Sequence, residues 1–147
     1  MVQPAESQTC YATALRKASR RLTGLYDEAL APAGLRSTQY AILGELLAGP
    51  LTINELAGAL VLDRSGLGHS LRPLQRDGLI RLVKDTADRR SVRVTLTGEG
   101  RGRFEQAKVF WRAAQAQVAG VLGATVADEL RAQLNGIAED DRLASPA

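Results

Sequence analysis

The sequence predicts a mostly helical α+β fold in which two short helices and a small hairpin are framed by longer helices at both ends of the chain. Three observations predict it. Apolar residues at both ends recur in alternating steps of three and four. The middle holds two capped helical segments followed by two strand-like runs, and the positive charge is confined to one block. Of 147 residues, 45% are hydrophobic and 24% charged, an ordinary globular composition for one domain. A chain of this length buries roughly 70% of its unfolded surface and needs no disulfide or metal to hold it. With a single Cys, and with 14 Gly and 5 Pro that show no period, disulfide-scaffold, collagen-like and disordered classes drop out. No apolar run approaches a membrane span, and residues 1–10 lack a signal-peptide pattern. The expectation is a reducing cytoplasm with no membrane partner.

In chain order, Tyr11, Leu15, Ala18, Leu22 and Leu25 fall on one helix face. Leu35 to Ala48 reads as an amphipathic helix behind Ala31-Pro32-Ala33-Gly34, with Ser37 or Thr38 as its cap and Gly49-Pro50 as its stop. Thr52-Ile53-Asn54-Glu55 is a capping box that opens a short helix through Leu60. Asp63 opens the next helix, apolar at Leu67, Leu71 and Leu74 and closed by Gly78; Pro73 removes a backbone donor and predicts an irregularity. Leu79 to Lys84 and Ser91 to Thr97 are strand-like, and polar Asp85 to Arg90 makes their connection a projecting hairpin end. A second seamed helix follows Phe104, Ala107, Trp111, Ala114, Val118 and Val121. A third runs from Val126 through Leu130 and Leu134 to Ile137, with Thr125 as N-cap and Asp128 in a capping-box position. Such seams must be hidden. Residues 1–34 and 104–147 are therefore expected to pack together and against a second copy, around a unit of residues 35–103 whose hairpin spans about 79–97.

Charge sharpens the reading of that central unit. Met1 to Asp63 holds five Lys/Arg against six Asp/Glu, Arg64 to Arg103 ten against four, and Phe104 to Ala147 four against six. A surface that grips phosphates needs that local field, whereas a solvated enzyme surface intersperses its signs. Two short helices joined by a tight turn and followed by a basic hairpin is the order of a winged helix-turn-helix, and the implied partner is double-stranded DNA. The second helix suits a B-DNA major groove and sets Arg64, Ser65, Gly66, His69 and Ser70 where base edges would lie. The hairpin tip, with Arg89 and Arg90, reaches the neighbouring minor groove, whose negative potential draws arginine.

Leu62-Asp63-Arg64-Ser65, then Leu71-Arg72-Pro73-Leu74-Gln75-Arg76-Asp77-Gly78-Leu79-Ile80, then Asp85-x-x-Asp88-Arg89-Arg90-Ser91 and Leu96-Thr97-x-x-Gly100 together resemble a MarR-family transcriptional regulator over nearly the whole chain. The resemblance implies a triangular homodimer whose terminal helices form the dimerisation region, each subunit presenting one winged helix-turn-helix to half of a pseudopalindromic operator. It places Arg64, Ser65, Gly66, His69 and Ser70 toward DNA and makes Arg72 a phosphate contact. Arg90 becomes the minor-groove arginine, Asp88 holds the loop, and Asp63 either pairs with Arg90 or caps its helix. Gly66 and Gly68 depart from the pattern, where larger and often hydroxyl-bearing residues are common. The function so implied is a sequence-specific regulator, a repressor released by a small molecule or an oxidant. A non-sequence-specific DNA-packaging dimer is the alternative.

Other residues stay open between two roles. His69 is a solvated helix residue or a DNA contact. A metal role for it is disfavoured, since no second His or Cys exists to complete a ligand set. Cys10 is an inert residue at the start of the first helix or a redox sensor, favoured as thiolate by the helix N-terminus and by Arg16 and Lys17. Tyr11, Tyr40 and Trp111 are core, or they line a cavity for a small aromatic or phenolic effector drawn by Arg16, Arg20 and Arg21. No cofactor is implied. Enzyme chemistry is unsupported: Asp63, Ser65 and His69 on one exposed helix do not make an oriented triad. Gly98-Glu99-Gly100-Arg101-Gly102 lacks the spacing and βαβ setting of a dinucleotide loop.

Overall fold

The computed structural model describes residues 5–146; the outermost ends of the expected helical regions, residues 1–4 and 147, lie outside them. A single turn, α1 (Glu6–Thr9), leads into α2 (Tyr11–Leu30). A 3-10 turn with Pro32 follows, and Gly34 adopts φ 70° to reverse the chain, a left-handed geometry open to glycine. Next come α3 (Ser37–Glu45), a 3-10 turn over Leu46–Ala48, β1 (Leu51–Thr52), α4 (Ile53–Leu60) and α5 (Arg64–Arg76). The antiparallel pair β2 (Ile80–Lys84) and β3 (Val92–Leu96) precedes the long α6 (Gly98–Leu122) and α7 (Ala124–Glu139).

Several expectations need correction. The segment from Leu35 to Ala48 is not one helix, and Ser37 is its first helical residue rather than its cap. Asp27 reaches over from α2 instead, and its Oδ1 accepts the Ser37 N–H at 2.7 Å. Pro73 does not interrupt α5. It sits in the last turn, where little helix follows, and Leu71 and Leu74 on either side are buried in the core. Thr125 does not cap α7: the helix starts at Ala124 behind Gly123, and the carboxylate of Asp128 pairs with Arg131 at 2.9 Å. The sheet has a third strand that the sequence pattern did not reveal. The order is β1-β3-β2, with Leu51 opposite Val94, and Ile80 opposite Leu96. At two residues, β1 is too short to carry an alternation.

The expected caps at the central helices form. Thr52 Oγ1 accepts Glu55 N–H at 3.1 Å while Glu55 Oε1 accepts Thr52 N–H at 3.3 Å. Asp63 Oδ1 accepts Gly66 N–H at 2.5 Å. Each satisfies first-turn donors that a helix leaves unpaired. Leu43, Leu56, Leu67, Leu74 and Val94 are essentially inaccessible and join the three central helices to the sheet. The long helices behave differently. Phe104, Ala107 and Ala114 of α6 turn inward, but α7 has no buried residue, and Tyr11 and Leu15 of α2 are 89% and 39% exposed. The seams of α7 and of the first half of α2 are therefore open, whereas that of α6 is largely covered.

Candidate nucleic-acid interface

Because Leu67, Leu71 and Leu74 point inward, the opposite edge of α5 faces solvent. Arg64, Ser65, Gly66, His69 and Arg72 are exposed there, and Ser70 is half-buried. The turn from α4 into α5 is tight. Val61 lies at φ 52°, an unusual state for a β-branched residue, and Leu62 N–H closes back on Ala57 O at 2.9 Å. A Cβ at position 66 would stand 2.9 Å from Asp63 Oδ1, so the cap carboxylate occupies the space a side chain would need. Gly68 has open space around it.

The wing is organised by two aspartates. Asp88 Oδ1 accepts the Arg90 N–H at 3.0 Å, and Ser91 N–H closes on Asp88 O at 3.0 Å. Asp85, which opens the wing motif but was given no role in it, does more at the base. Its Oδ1 accepts Ala87 N–H at 3.2 Å, and its Oδ2 stands 3.3 Å from Arg93 Nε with the Asp85 side chain only 14% exposed. The alternation of β3 gave the signal for this pair, since it places Arg93 beside the strand end that carries Asp85. Asp63 does not pair with Arg90; its carboxylate is committed to the helix cap. Among the described residues, Arg64, Arg72, Arg89 and Arg90 form no ion pairs. Their charge is left uncompensated beside α5 and at the wing.

The aromatic grouping expected of an effector site is altered. Tyr40 stacks on Phe104 at 4.5 Å and on Trp111 at 5.8 Å, and these rings are part of the core or pack against it. Burial pushes the Tyr40 phenol above its ordinary range, helped by the charge of Glu105. Tyr11 has no place in this stack, because it begins α2 and is 89% exposed. A cleft of about 490 Å³ opens elsewhere, lined by Thr23, Asp27, Arg36, Gln39, His69 and Ser70, so two α5 candidates also border α2 and α3. Cys10 is exposed at the N-terminal boundary of α2. Hydrogen bonds from the Thr13 side chain and backbone, aided by Arg16, hold its thiol below the usual range.

A three-stranded sheet, a capped helix pair and a basic projecting hairpin define a winged helix-turn-helix protein. A model described as MarR family matches residues 33–91. The HTH-type transcriptional regulator TtmR of Methylorubrum extorquens is 32% identical over 137 residues, covering 92% of this chain and 67% of that one. The transcriptional activatory protein BadR of Rhodopseudomonas palustris is 37% identical over 76 residues, and the match spans only 43% of its length. Among solved structures, the M. tuberculosis transcriptional regulator MosR in complex with DNA aligns with TM-score 0.80 and 32% identity, covering 88% of this chain and 94% of that one. The transcriptional repressor CouR on a 23-mer DNA duplex aligns with TM-score 0.81 and 27% identity, covering 95% and 99%. The chain belongs to the MarR family, a family of transcriptional regulators and not of enzymes. Among the described residues, no helix is long and apolar enough to cross a membrane.

Proposed function

We propose that the chain acts in the cytoplasm as a homodimer on a pseudopalindromic operator. Each protomer lays α5 in the major groove through Arg64, Ser65, Gly66, His69 and Ser70, with Arg72 on phosphate. Asp88 holds the wing so that Arg89 and Arg90 reach the minor groove. The observation that carries this is the uncompensated arginine set on one edge, set on a core that fixes α5 and wing together. The two α5 helices must stand roughly 34–36 Å apart to meet successive major grooves. Any ligand that alters that separation therefore alters affinity. The direction of control proposed is repression, in keeping with the name of CouR; BadR is named an activator but matches over less of its length.

The test is the affinity for the gene's own upstream DNA against a scrambled duplex at about 150 mM salt. A preference of roughly a thousandfold or more is expected. Equal, salt-sensitive binding to both would instead support the DNA-packaging reading. Arg90→Ala is expected to weaken operator binding by roughly tenfold, corresponding to one lost groove contact. Unchanged affinity would contradict the placement of the wing.

Two release signals are proposed. An apolar groove of about 250 Å³ between α2 and α6 has Leu22, Leu25, Val118 and Val121 on its walls and Arg21 at its edge, a chemistry suited to a small aromatic or phenolic anion. Millimolar 4-hydroxybenzoate is expected to dissociate the operator complex, and Arg21→Ala to remove the response; release that persists in the variant would rule the groove out. For oxidants, the lowered Cys10 pKa keeps thiolate present at a pH where a free cysteine is still protonated. Cys10→Ser is expected to abolish peroxide-induced release, and its alkylation in the unaltered protein to persist below the free-thiol pH range. Peroxide release that survives in the Ser variant would exclude this thiol.

A further inference from the structure

Between the start of α5 and the wing lies a cleft of about 270 Å³, walled by Thr52, Asn54, Arg64, Asp88, Arg90 and Ser91. The two arginines come from different elements, and neither is ion-paired among the described residues. Asp88 is the one carboxylate on the wall, and its Oδ1 already accepts the Arg90 N–H at 3.0 Å. Thr52 Oγ1 accepts from Glu55 N, which leaves its own hydroxyl hydrogen available to donate. The N–H of Asn54 belongs to the first turn of α4 and has no intrahelical acceptor. The cleft thus gathers charged and neutral donors with a net positive balance, the chemistry of one tetrahedral oxyanion. Its volume equals that of about nine waters at roughly 30 Å³ each, room for a phosphodiester group with part of its hydration.

Position says which oxyanion. When α5 occupies a major groove and the wing the adjacent minor groove, the sugar-phosphate strand dividing those grooves has to pass between them. That is where this cleft opens. We propose that the cleft is the seat of a single DNA phosphodiester, held by Arg64 from the α5 side, by Arg90 from the wing side where it passes the strand at the mouth of the minor groove, and by Thr52, Asn54 and Ser91 from its floor. This rests on the winged-domain placement proposed above. The seat carries no base information and fixes the register of α5 relative to the wing. Thr52, Asn54 and Ser91 are thereby added to the interface as positioning residues, none of them visible as such in the recognition-helix or wing motifs.

The experiment pairs the intact protein and the Arg64→Gln variant with operator duplexes in which one phosphate at a time is replaced by a neutral methylphosphonate. Arg64 is exposed, so the variant retains its core; Ser91→Ala serves as a second variant should Arg64→Gln alter base readout. One position per half-site is expected at which the replacement weakens the intact protein roughly tenfold and either variant about twofold or less. At that position the slope of log affinity against log salt should fall by about 0.9 for the intact protein. Equal losses in the intact protein and both variants, or no such position, would overturn the seat. If the protein shows no operator preference at all, the specific-regulator reading fails on its own. The seat is then read on the scrambled duplex, where a salt slope unchanged by Arg64→Gln overturns it.

Discussion

Gly100→Ala is expected to destabilise the protein by about 3 kcal/mol, although glycine to alanine inside a helix ordinarily stabilises. Gly100 lies in the first turn of α6, where that helix crosses the start of β2. A Cβ there would stand 2.1 Å from Leu79 O and 2.7 Å from Leu96 Cδ1. The carbonyl cannot swing aside cheaply. It accepts Thr97 N–H at 3.1 Å, and the Leu79 N–H is itself bound to Leu74 O at 2.9 Å, tying the same residue to the end of α5. Thr97 adds a second tie: its Oγ1 accepts Gly100 N–H at 3.0 Å and donates to Gly78 O at 2.7 Å. Alanine therefore pushes α6 away from the junction that holds α5, wing and long helix together. Urea unfolding measures the effect, and a fall of roughly 10 °C in Tm should accompany it. Gly102→Ala is the control, since nothing lies within 4 Å of a Cβ at that site of the same helix. It should gain about 0.5–1 kcal/mol. A Gly100→Ala protein as stable as its parent would show that the junction is looser than its geometry implies.

That junction also shows where the sequence is legible and where it is not. The capping box at Thr52 and the cap at Asp63 could be read directly, because each uses a side chain within three residues of its target. Leu67, Leu71 and Leu74 fixed which edge of α5 is exposed, and with it the candidate DNA contacts. What escaped depends on residues far apart in the chain. Asp27 capping α3 from ten residues away, the approach of Leu79 to Gly100, and the pairing of β1 with β3 leave no local pattern. The aromatic trio failed for the same reason. Tyr40 and Trp111 do meet, but the third ring is Phe104, because α6 and not the start of α2 packs over α3 at that level. Asp63 illustrates competition: one carboxylate served two plausible partners, and the cap three residues away prevailed over an arginine across the wing.

Leu130→Glu is expected to give a folded monomer whose affinity for the full operator is lower by roughly a thousandfold. α7 runs for 16 residues without burying one of them, and a helix of that length is marginal in water unless an apolar face is covered. Its seam is open: Val126, Leu130 and Ile137 are 53%, 37% and 46% exposed. Tyr11 and Leu15 leave the first half of α2 open in the same way. The charges flanking these seams are complementary. Arg16, Lys17, Arg20 and Arg21 on α2 form no ion pairs among the described residues, whereas Glu129, Glu139 and Asp141 lie on or just after α7. A second copy that laid its α7 along this α2 would cover both seams and bring opposite charges together. A glutamate at position 130 would carry its charge into the apolar seam itself, away from the cations that flank it, and the cost of desolvating that carboxylate opposes association. The DNA consequence follows from linkage. Once one α5 is bound, the other meets its half-site at an effective concentration near millimolar, and a monomer loses that gain of 10² to 10⁴. Sedimentation should report the protomer mass, and operator titration the loss, while affinity for a single half-site stays near that of the intact protein. A Leu130→Glu protein that remains dimeric would move the interface away from α7, and a monomer that binds the full operator undiminished would remove the two-fold reading of the site.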